Sequence, residues 1–334
     1  MNEQHPLWAA RARVCWTTLT SRCIRDSGDK VVVHEPGRRR PLAAWPLSQV
    51  LWASCLLAQL AEAPGRYSPT ALWPALTRYR SGPGYLDNRP RGRRYYDDNA
   101  WLGLAAAQEA LLTDGADPWW DRATELALYL ARAQHSDGGV DWVEGGTTVN
   151  ACSTGSVGLL MAVVADAQPS GAARSAWNDR AAAARDFLQG PLMRSDGLVG
   201  DHLTASRALE PTVWMYNQGL LLQLLARSPG SLTAARLFAD RVEQQVAPQE
   251  MARQPAVFTS MWWRAKLVLA AQDPDVDVSG VEAFLSDAWE RGRASGGFLS
   301  ALSRYDDGVV LDHAAVTGLM AAYALGPGSW DRLL

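Results

Sequence analysis

Two aspartates stand side by side in Tyr95-Tyr96-Asp97-Asp98-Asn99-Ala100-Trp101, between an aromatic pair and a tryptophan and directly ahead of the apolar run 102–107. Asp is a favoured helix N-cap, so the simplest account has one Asp capping a helix and the other decorating it. Capping uses one carboxylate and leaves the second, and the flanking aromatics, without a reason. Neighbouring carboxylates repel each other, and a site that holds them together suits acid/base chemistry. Retaining glycosidases keep such a pair about 5–5.5 Å apart, one as nucleophile and one as acid/base. Adjacent Cα atoms are about 3.8 Å apart, so the spacing permits that geometry. On local chemistry alone the capping and catalytic readings stand level.

The elements that must position this pair are helical. Periodicity of 3.6 residues and capping signals give twelve segments: 7–24, 46–63, 68–79, 98–112, 118–133, 150–167, 170–188, 214–226, 232–246, 259–271, 279–292 and 313–325. Strand-like stretches are short, as at 30–34 and 308–311. Connections after the even-numbered helices are short, whereas those leading into them (81–96, 134–149, 189–213 and 293–312) are long and rich in Gly, Asp and aromatics. Long loops concentrate function. The even helices open alike, with polar and aromatic residues before a small or apolar run: Trp45-Pro46-Leu47-Ser48-Gln49, Asn150-Ala151-Cys152-Ser153-Thr154, Trp214-Met215-Tyr216-Asn217-Gln218. The odd helices carry polar residues at helical spacing and read as solvent-facing. Six hairpins with an inner ring of even helices make an all-α, single-domain (α/α)6 barrel over 1–334, with 1–6 and 326–334 as flexible or peripheral ends. An open α-solenoid is the competing arrangement. Three loops share a motif, Asp137-Gly138-Gly139-Val140-Asp141-Trp142, Asp196-Gly197-Leu198-Val199-Gly200-Asp201 and Ser295-Gly296-Gly297-Phe298-Leu299, read as a tight turn repeated with the hairpin. Asp141 and Asp201 extend it to the functional rim.

Composition narrows the function. A net charge of -3 and a pI near 6.0 argue against nucleic acid as a partner. All basic residues but Lys30 and Lys266 are arginines, a compositional bias, while the 15 Trp against 5 Phe offer flat faces for sugar stacking. Cys15, Cys23, Cys55 and Cys152 form no CxxC pair; Cys15 and Cys23 are about 12 Å apart on one helix, too far for a disulfide. Free thiols of a reducing compartment are expected. The first residues lack an apolar signal core and no run has membrane-spanning length, so a cytoplasmic monomer is expected, or a secreted one if a leader was removed.

Other constellations are weaker. The five histidines are scattered without HExxH, and Asp273-Pro274-Asp275-Val276-Asp277 echoes a calcium loop but has Val278 at the glycine and Phe284 at the glutamate position. The capping box Ser279-Gly280-Val281-Glu282 explains its end better. No metal or cofactor is expected. Asp306-Asp307-Gly308 reads as a turn, and one of Trp262 and Trp263 as core. Arg89-Pro90-Arg91-Gly92-Arg93-Arg94 reads first as a solvated loop face and second as a contact to an anionic or phosphorylated glycan.

The aspartate stretch resembles the catalytic motif of glycoside hydrolase family 76, the endo-α-1,6-mannanases. Further similarity lies in Trp45-Pro46-Leu47-Ser48-Gln49, Gly138-Gly139-Val140-Asp141-Trp142, Asn150-Ala151 and Tyr216-Asn217-Gln218-Gly219, in order along nearly the whole chain. The resemblance implies the same barrel and retaining cleavage of α-1,6-linked mannose, with Asp97 as nucleophile and Asp98 as acid/base. Asp141 departs from the family's usual aromatic, and Ser153-Thr154 differ in the turn after Asn150-Ala151. The candidate substrate-binding residues are Tyr96, Asn99, Trp101, Asp141, Trp142, Asn150, Asp201, Tyr216 and Asn217. A transglycosylase on the same dyad and a non-catalytic glycan-binding barrel are the alternatives. A sugar epimerase or unsaturated-uronyl hydrolase is weaker; an epimerase needs paired histidines, for which His202 and His313 are the only plausible couple.

Overall fold

The structure is a computed structural model that describes residues 5–26, 31–60, 66–89, 91–113, 118–293, 297–299 and 309–334. The turn at 306–308, residues 295 and 296 of the third loop motif, and Gly308 of the second strand-like stretch lie outside the described residues.

The helices are, in chain order, α1 (Pro6–Cys23), α2 (Ala44–Gln59), α3 (Pro69–Leu72), α4 (Tyr96–Leu112), α5 (Trp119–Ala131), α6 (Ala151–Ala167) and α7 (Ala172–Gln189). There follow α8 (Met215–Arg227), α9 (Leu232–Gln245), α10 (Pro248–Met251), α11 (Ala256–Gln272), α12 (Ser279–Arg291) and α13 (Val309–Leu325). Six of them are buried nearly all round: α2, α4, α6, α8, α11 and α13. Each packs against the next in that order, and α13 packs back on α2. The ring is therefore closed, and the fold is an (α/α)6 barrel. The open solenoid is excluded.

The outer helices bury one stripe each. On α9 the buried residues are Ala235, Phe238, Ala239 and Val242, the i, i+3, i+4, i+7 pattern of a helix lying on a core. Inner helices touch closely where glycine allows it. A Cβ on Gly219 of α8 would stand 2.7 Å from the Met261 carbonyl of α11, and one on Gly318 of α13 would stand 2.3 Å from the Trp52 ring of α2.

Four expectations need correction. The third helix is α3 followed by a 3-10 helix over Trp73–Tyr79, because Pro74 lacks the N–H that a continuous α-helix requires. The strand-like Val309-Val310-Leu311 opens α13, since burial overrides β propensity. The start of α12 is not held by a Ser279–Glu282 box; Asp277 accepts from the Ser279 N–H at 2.8 Å and from its hydroxyl at 2.9 Å. Residues 326–334 are not peripheral: a 3-10 helix over Pro327–Arg332 leads to buried Leu333 and Leu334. There the Leu334 N–H donates to Gln108 of α4 at 2.9 Å, and Arg227 of α8 donates to the Leu333 carbonyl at 2.6 Å.

The long loops gather at the N-terminal ends of the inner helices. Strands β1 (Ile24–Asp26) and β2 (Val31–Val33) pair ahead of α2, and β3 (Arg80–Ser81) and β4 (Gly84–Tyr85) pair ahead of α4. Strands β5 (Val149–Asn150), β6 (His202–Leu203) and β7 (Leu209–Glu210) form one antiparallel sheet that joins the loops before α6 and α8. The first two loops repeat one turn, and in the third the left-handed glycine stands one place later in the motif. Gly138, Gly197 and Gly297 all have φ between 81° and 97°, where other residues are strained. Asp137 and Asp196 each accept from the backbone N–H two residues on.

Candidate active site

The first turn of α4 is fixed before its carboxylates do anything. Neither Asp caps the helix: Tyr95 is the N-cap residue, and Asp97 and Asp98 lie inside the first turn. Asn99 accepts from the Tyr85 N–H at 2.7 Å and donates to the Tyr85 and Tyr95 carbonyls at 3.0 and 2.7 Å. Tyr96 N–H donates to the Trp142 carbonyl at 3.0 Å, and Tyr95 bridges to Val143. The turn is thus tied to the loops on both sides.

Above it opens a cavity of about 680 Å³ to which every inner helix contributes near its N-terminus. Trp45 and Pro46 come from α2, Asp97, Asp98 and Trp101 from α4, and Cys152 from α6 with Asn150 as its N-cap. Tyr216 comes from α8, Phe258 from α11 and Leu311 from α13. Loops add Asp87, Tyr95, Trp142, Thr148, Asp201, His202 and Trp214. Phe258 organises one aromatic wall, stacked on Tyr216 at 4.1 Å, edge-on to Trp214 at 5.4 Å and tilted to Trp45 at 6.1 Å. Trp142, the most exposed of the lining indoles at 44%, stands edge-on to Tyr95 at 4.9 Å. Flat aromatic faces and carboxylates lining one cavity suit a sugar chain.

The two carboxylates differ electrostatically. Burial raises Asp97 to about 6, while the Cys152 thiol, the N–H groups of Asp98 and Asp97 and the Trp142 indole favour its anion. Its Oδ1 is buried without a hydrogen-bond partner. Asp98 is raised well above the usual carboxylate range, first by burial and then by the negative charges of Asp97 and Asp87, with nothing pulling it down. The arrangement holds one carboxylate ready to be an anion and its neighbour ready to keep a proton. Cys152 and Tyr216 are both raised by burial, so both stay neutral and act as weak polar contacts beside Asp97.

Of the residues singled out in the sequence, Asp97, Asp98, Trp101, Trp142, Asn150, Asp201 and Tyr216 meet on the cavity. Four do not line it. Asn99 is fully buried and its amide is spent on the Tyr85 and Tyr95 backbone. Tyr96 packs on Tyr129 at 5.9 Å. Asp141 faces His135 at 3.5 Å, and Asn217 is fully buried with both amide atoms unpartnered. The histidine couple is not formed: His202 is on the cavity, bonded to Asp201 at 2.9 Å, whereas His313 is buried, bonded to the Cys15 carbonyl and the Leu299 N–H. Burial pushes His313 down to about 4, so it stays neutral. Asp87, Thr148, Cys152 and Phe258 were not singled out. Trp45 and Trp214 carried a signal, an aromatic immediately at an inner-helix start, that applies equally to the lining residues of α4.

The description "Glycosyl hydrolase family 76" fits residues 41–227, more than half of the chain. No curated protein sequence matches. Solved structures do. A family 76 mannosidase from Bacteroides thetaiotaomicron superposes with a TM-score of 0.82 at 18% identity, over 96% of this chain and 98% of that one. A family 76 glycoside hydrolase from a bovine strain of the same species gives 0.81 at 18% identity, over 95% and 77%. An inactive α-1,6-mannanase variant of Salegentibacter sp., with two consecutive aspartates replaced and α-1,6-mannotetrose bound, gives 0.76 at 16%, over 95% and 99%. By the match over 41–227, the chain belongs to glycosyl hydrolase family 76.

Proposed function

We propose that the protein is a retaining endo-α-1,6-mannan hydrolase in which Asp97 is the nucleophile and Asp98 the acid/base. The observation that carries this is the opposed surroundings of the two carboxylates, donors around Asp97 and only burial and negative charge around Asp98. The α-1,6-mannotetrose bound to the Salegentibacter relative supports the substrate class. In the first step Asp98 gives its proton to the glycosidic oxygen while an Asp97 oxygen attacks the anomeric carbon from the opposite face. The C–O bond to the leaving chain breaks, and a glycosyl ester on Asp97 forms with inverted configuration. Asp98, now an anion, takes a proton from water. That water attacks the anomeric carbon, frees Asp97 and restores the α configuration. The Trp142 and Phe258 walls hold the sugar rings on either side, and Asn150, Asp201 and Tyr216 meet their hydroxyls.

The test is hydrolysis of linkage-defined manno-oligosaccharides, with the anomer of the newly released reducing end read by NMR before mutarotation. Internal cleavage of α-1,6 linkages with α product first is expected, and added chelator leaves the rate unchanged. A first-formed β product, or cleavage confined to another linkage, overturns the reading.

A further inference from the structure

His202 lines the cavity and takes no part in the acid/base chemistry of Asp97 and Asp98. It lies on the central strand of the three-stranded sheet, with Asn150 of β5 and Glu210 of β7 as its Cα partners. Directly opposed residues of antiparallel strands stand about 4.5–5.5 Å apart and share a face. Asn150 lines the same cavity. The Glu210 carboxylate accepts from the Thr212 hydroxyl at 2.8 Å and makes no hydrogen bond to the imidazole.

The two ring nitrogens are used differently. Nδ1 lies 2.9 Å from Asp201 Oδ2. The carboxylate is the acceptor of that pair, so Nδ1 carries the proton and Nε2 of the neutral ring is an acceptor. Among the described residues Nε2 has no hydrogen-bond partner, and it is not one of the buried unpartnered atoms. It is open to solvent, on a ring that lines the cavity.

A histidine that serves only the fold looks otherwise. His313 spends both nitrogens, one on the Cys15 carbonyl and one on the Leu299 N–H. Nor is the imidazole needed to hold Asp201. The Asp201 N–H donates to the Glu210 carbonyl at 2.9 Å, and its carbonyl accepts from the Ala151 N–H at 2.8 Å. The second bond sets this strand against the first turn of α6, one residue before Cys152. Asn150 completes the site. Its Oδ1 accepts from the Thr148 hydroxyl at 2.9 Å, which leaves its Nδ2 hydrogens to donate.

We propose that His202 is a specificity-determining residue, which with Asn150 reads one hydroxyl of the mannan chain through Nε2. The inference rests on the mannan-cleaving reading and adds the imidazole to it as a direct sugar contact. The two side chains offer one acceptor and one donor on the same stretch of cavity wall. A hydroxyl satisfies both, donating to Nε2 and accepting from the amide. A carboxylate, which only accepts, leaves Nε2 unmet, and a deoxy sugar leaves both unmet.

The test is steady-state kinetics on α-1,6-mannotetraose and on tetraoses that lack a single 2-, 3- or 4-hydroxyl, with wild type, His202→Gln and His202→Asn. A Gln amide reaches the position of Nε2, whereas an Asn amide reaches only that of Nδ1 and keeps the donor to Asp201. For one missing hydroxyl the wild type is expected to lose about tenfold in kcat/KM, through KM. His202→Gln keeps most of that loss. His202→Asn binds the intact chain about tenfold less well and no longer tells it from that deoxy chain. His202→Phe, which keeps the ring and removes both nitrogens, repeats the Asn result, and unchanged melting temperatures verify the folds. If the imidazole only holds Asp201, Asn performs like wild type and Gln does not, which overturns the inference alone. So does a set of deoxy losses that is the same in wild type, Asn and Phe. Cleavage of no tetraose by the wild type overturns the mannan reading, and this inference with it.

Discussion

Asp97 and Asp98 share a helix turn and differ in what surrounds them, so exchanging either for Asn asks two separate questions. With Asp98→Asn, an activated aryl α-mannoside needs little protonation of its leaving group. The first step survives, and a glycosyl ester on Asp97 accumulates because no base remains to activate water. Azide, which needs no base, then restores turnover and gives the α-azide. Asp97→Asn forms no ester, and any azide product is the β-anomer formed by direct displacement. Polymer cleavage falls by several orders of magnitude in both. Mass spectrometry of the trapped enzyme and NMR of the azides read the outcome; a swap of the two results reverses the roles, and full activity in both variants removes the dyad from the mechanism.

The first turns of the inner helices are held by side chains far away in sequence, which decides both their stability and how visible they were. Asp312 Oδ1 of α13 accepts from the Val257 N–H of α11 at 2.8 Å, and Glu35 Oε2 accepts from the Val310 N–H of α13 at 3.2 Å. Asp312 is buried, its Oδ2 has no partner, and burial pushes it up to about 7. An unfolded Asp titrates near 3.9. Between about pH 4 and 7 the folded state therefore binds a proton that the unfolded state has lost, and stability falls as pH rises, by at most about 1.4 kcal/mol per unit. Asp312→Asn keeps the acceptor for Val257 and removes the titration. Its urea midpoint is expected to drop less between pH 5 and 7.5 than the wild type's, and an equal drop counts against the assignment. The same long-range caps explain the misplaced helix starts. Periodicity located the inner helices and their aspartate turn because apolar runs and the Asp-Asp pair are local signals. It began α11 at 259 and α13 at 313, and so put Phe258 outside a helix, because the carboxylates that hold these two first turns lie 55 and 275 residues away in sequence. Asn99 misled for the related reason that its partner, Tyr85, belongs to the two-residue strand β4, too short to leave a pattern of its own.

Closure of the ring creates an interior where distant helices meet, and Arg264 is the residue that uses it. It belongs to α11, yet its guanidinium lies 4.3 Å from the Trp52 ring of α2 and 5.5 Å from the Trp101 ring of α4, the helix opposite α11 in the ring. It is 2% exposed, its Nε and one terminal nitrogen have no hydrogen-bond partner, and burial alone pulls it down to about 9 with no charge offsetting it. Two buried cation–π contacts are worth roughly 2 kcal/mol each. Burying an ion without a counter-charge costs several kcal/mol, and replacing buried ions by apolar residues of similar volume is often neutral or stabilising by about 1–4 kcal/mol. The desolvation cost wins, so Arg264→Met is expected to leave the melting temperature unchanged or raise it. Activity goes the other way. Trp101 lines the cavity, and the guanidinium stands against its ring from across the barrel. Without it the indole gains freedom, and kcat/KM on α-1,6-manno-oligosaccharides falls through KM rather than kcat. Calorimetry and steady-state kinetics on the one variant decide the matter. A melting temperature lowered by the substitution means that the indole contacts outweigh the desolvation, and an unchanged KM means that Trp101 holds its place without the charge across the barrel.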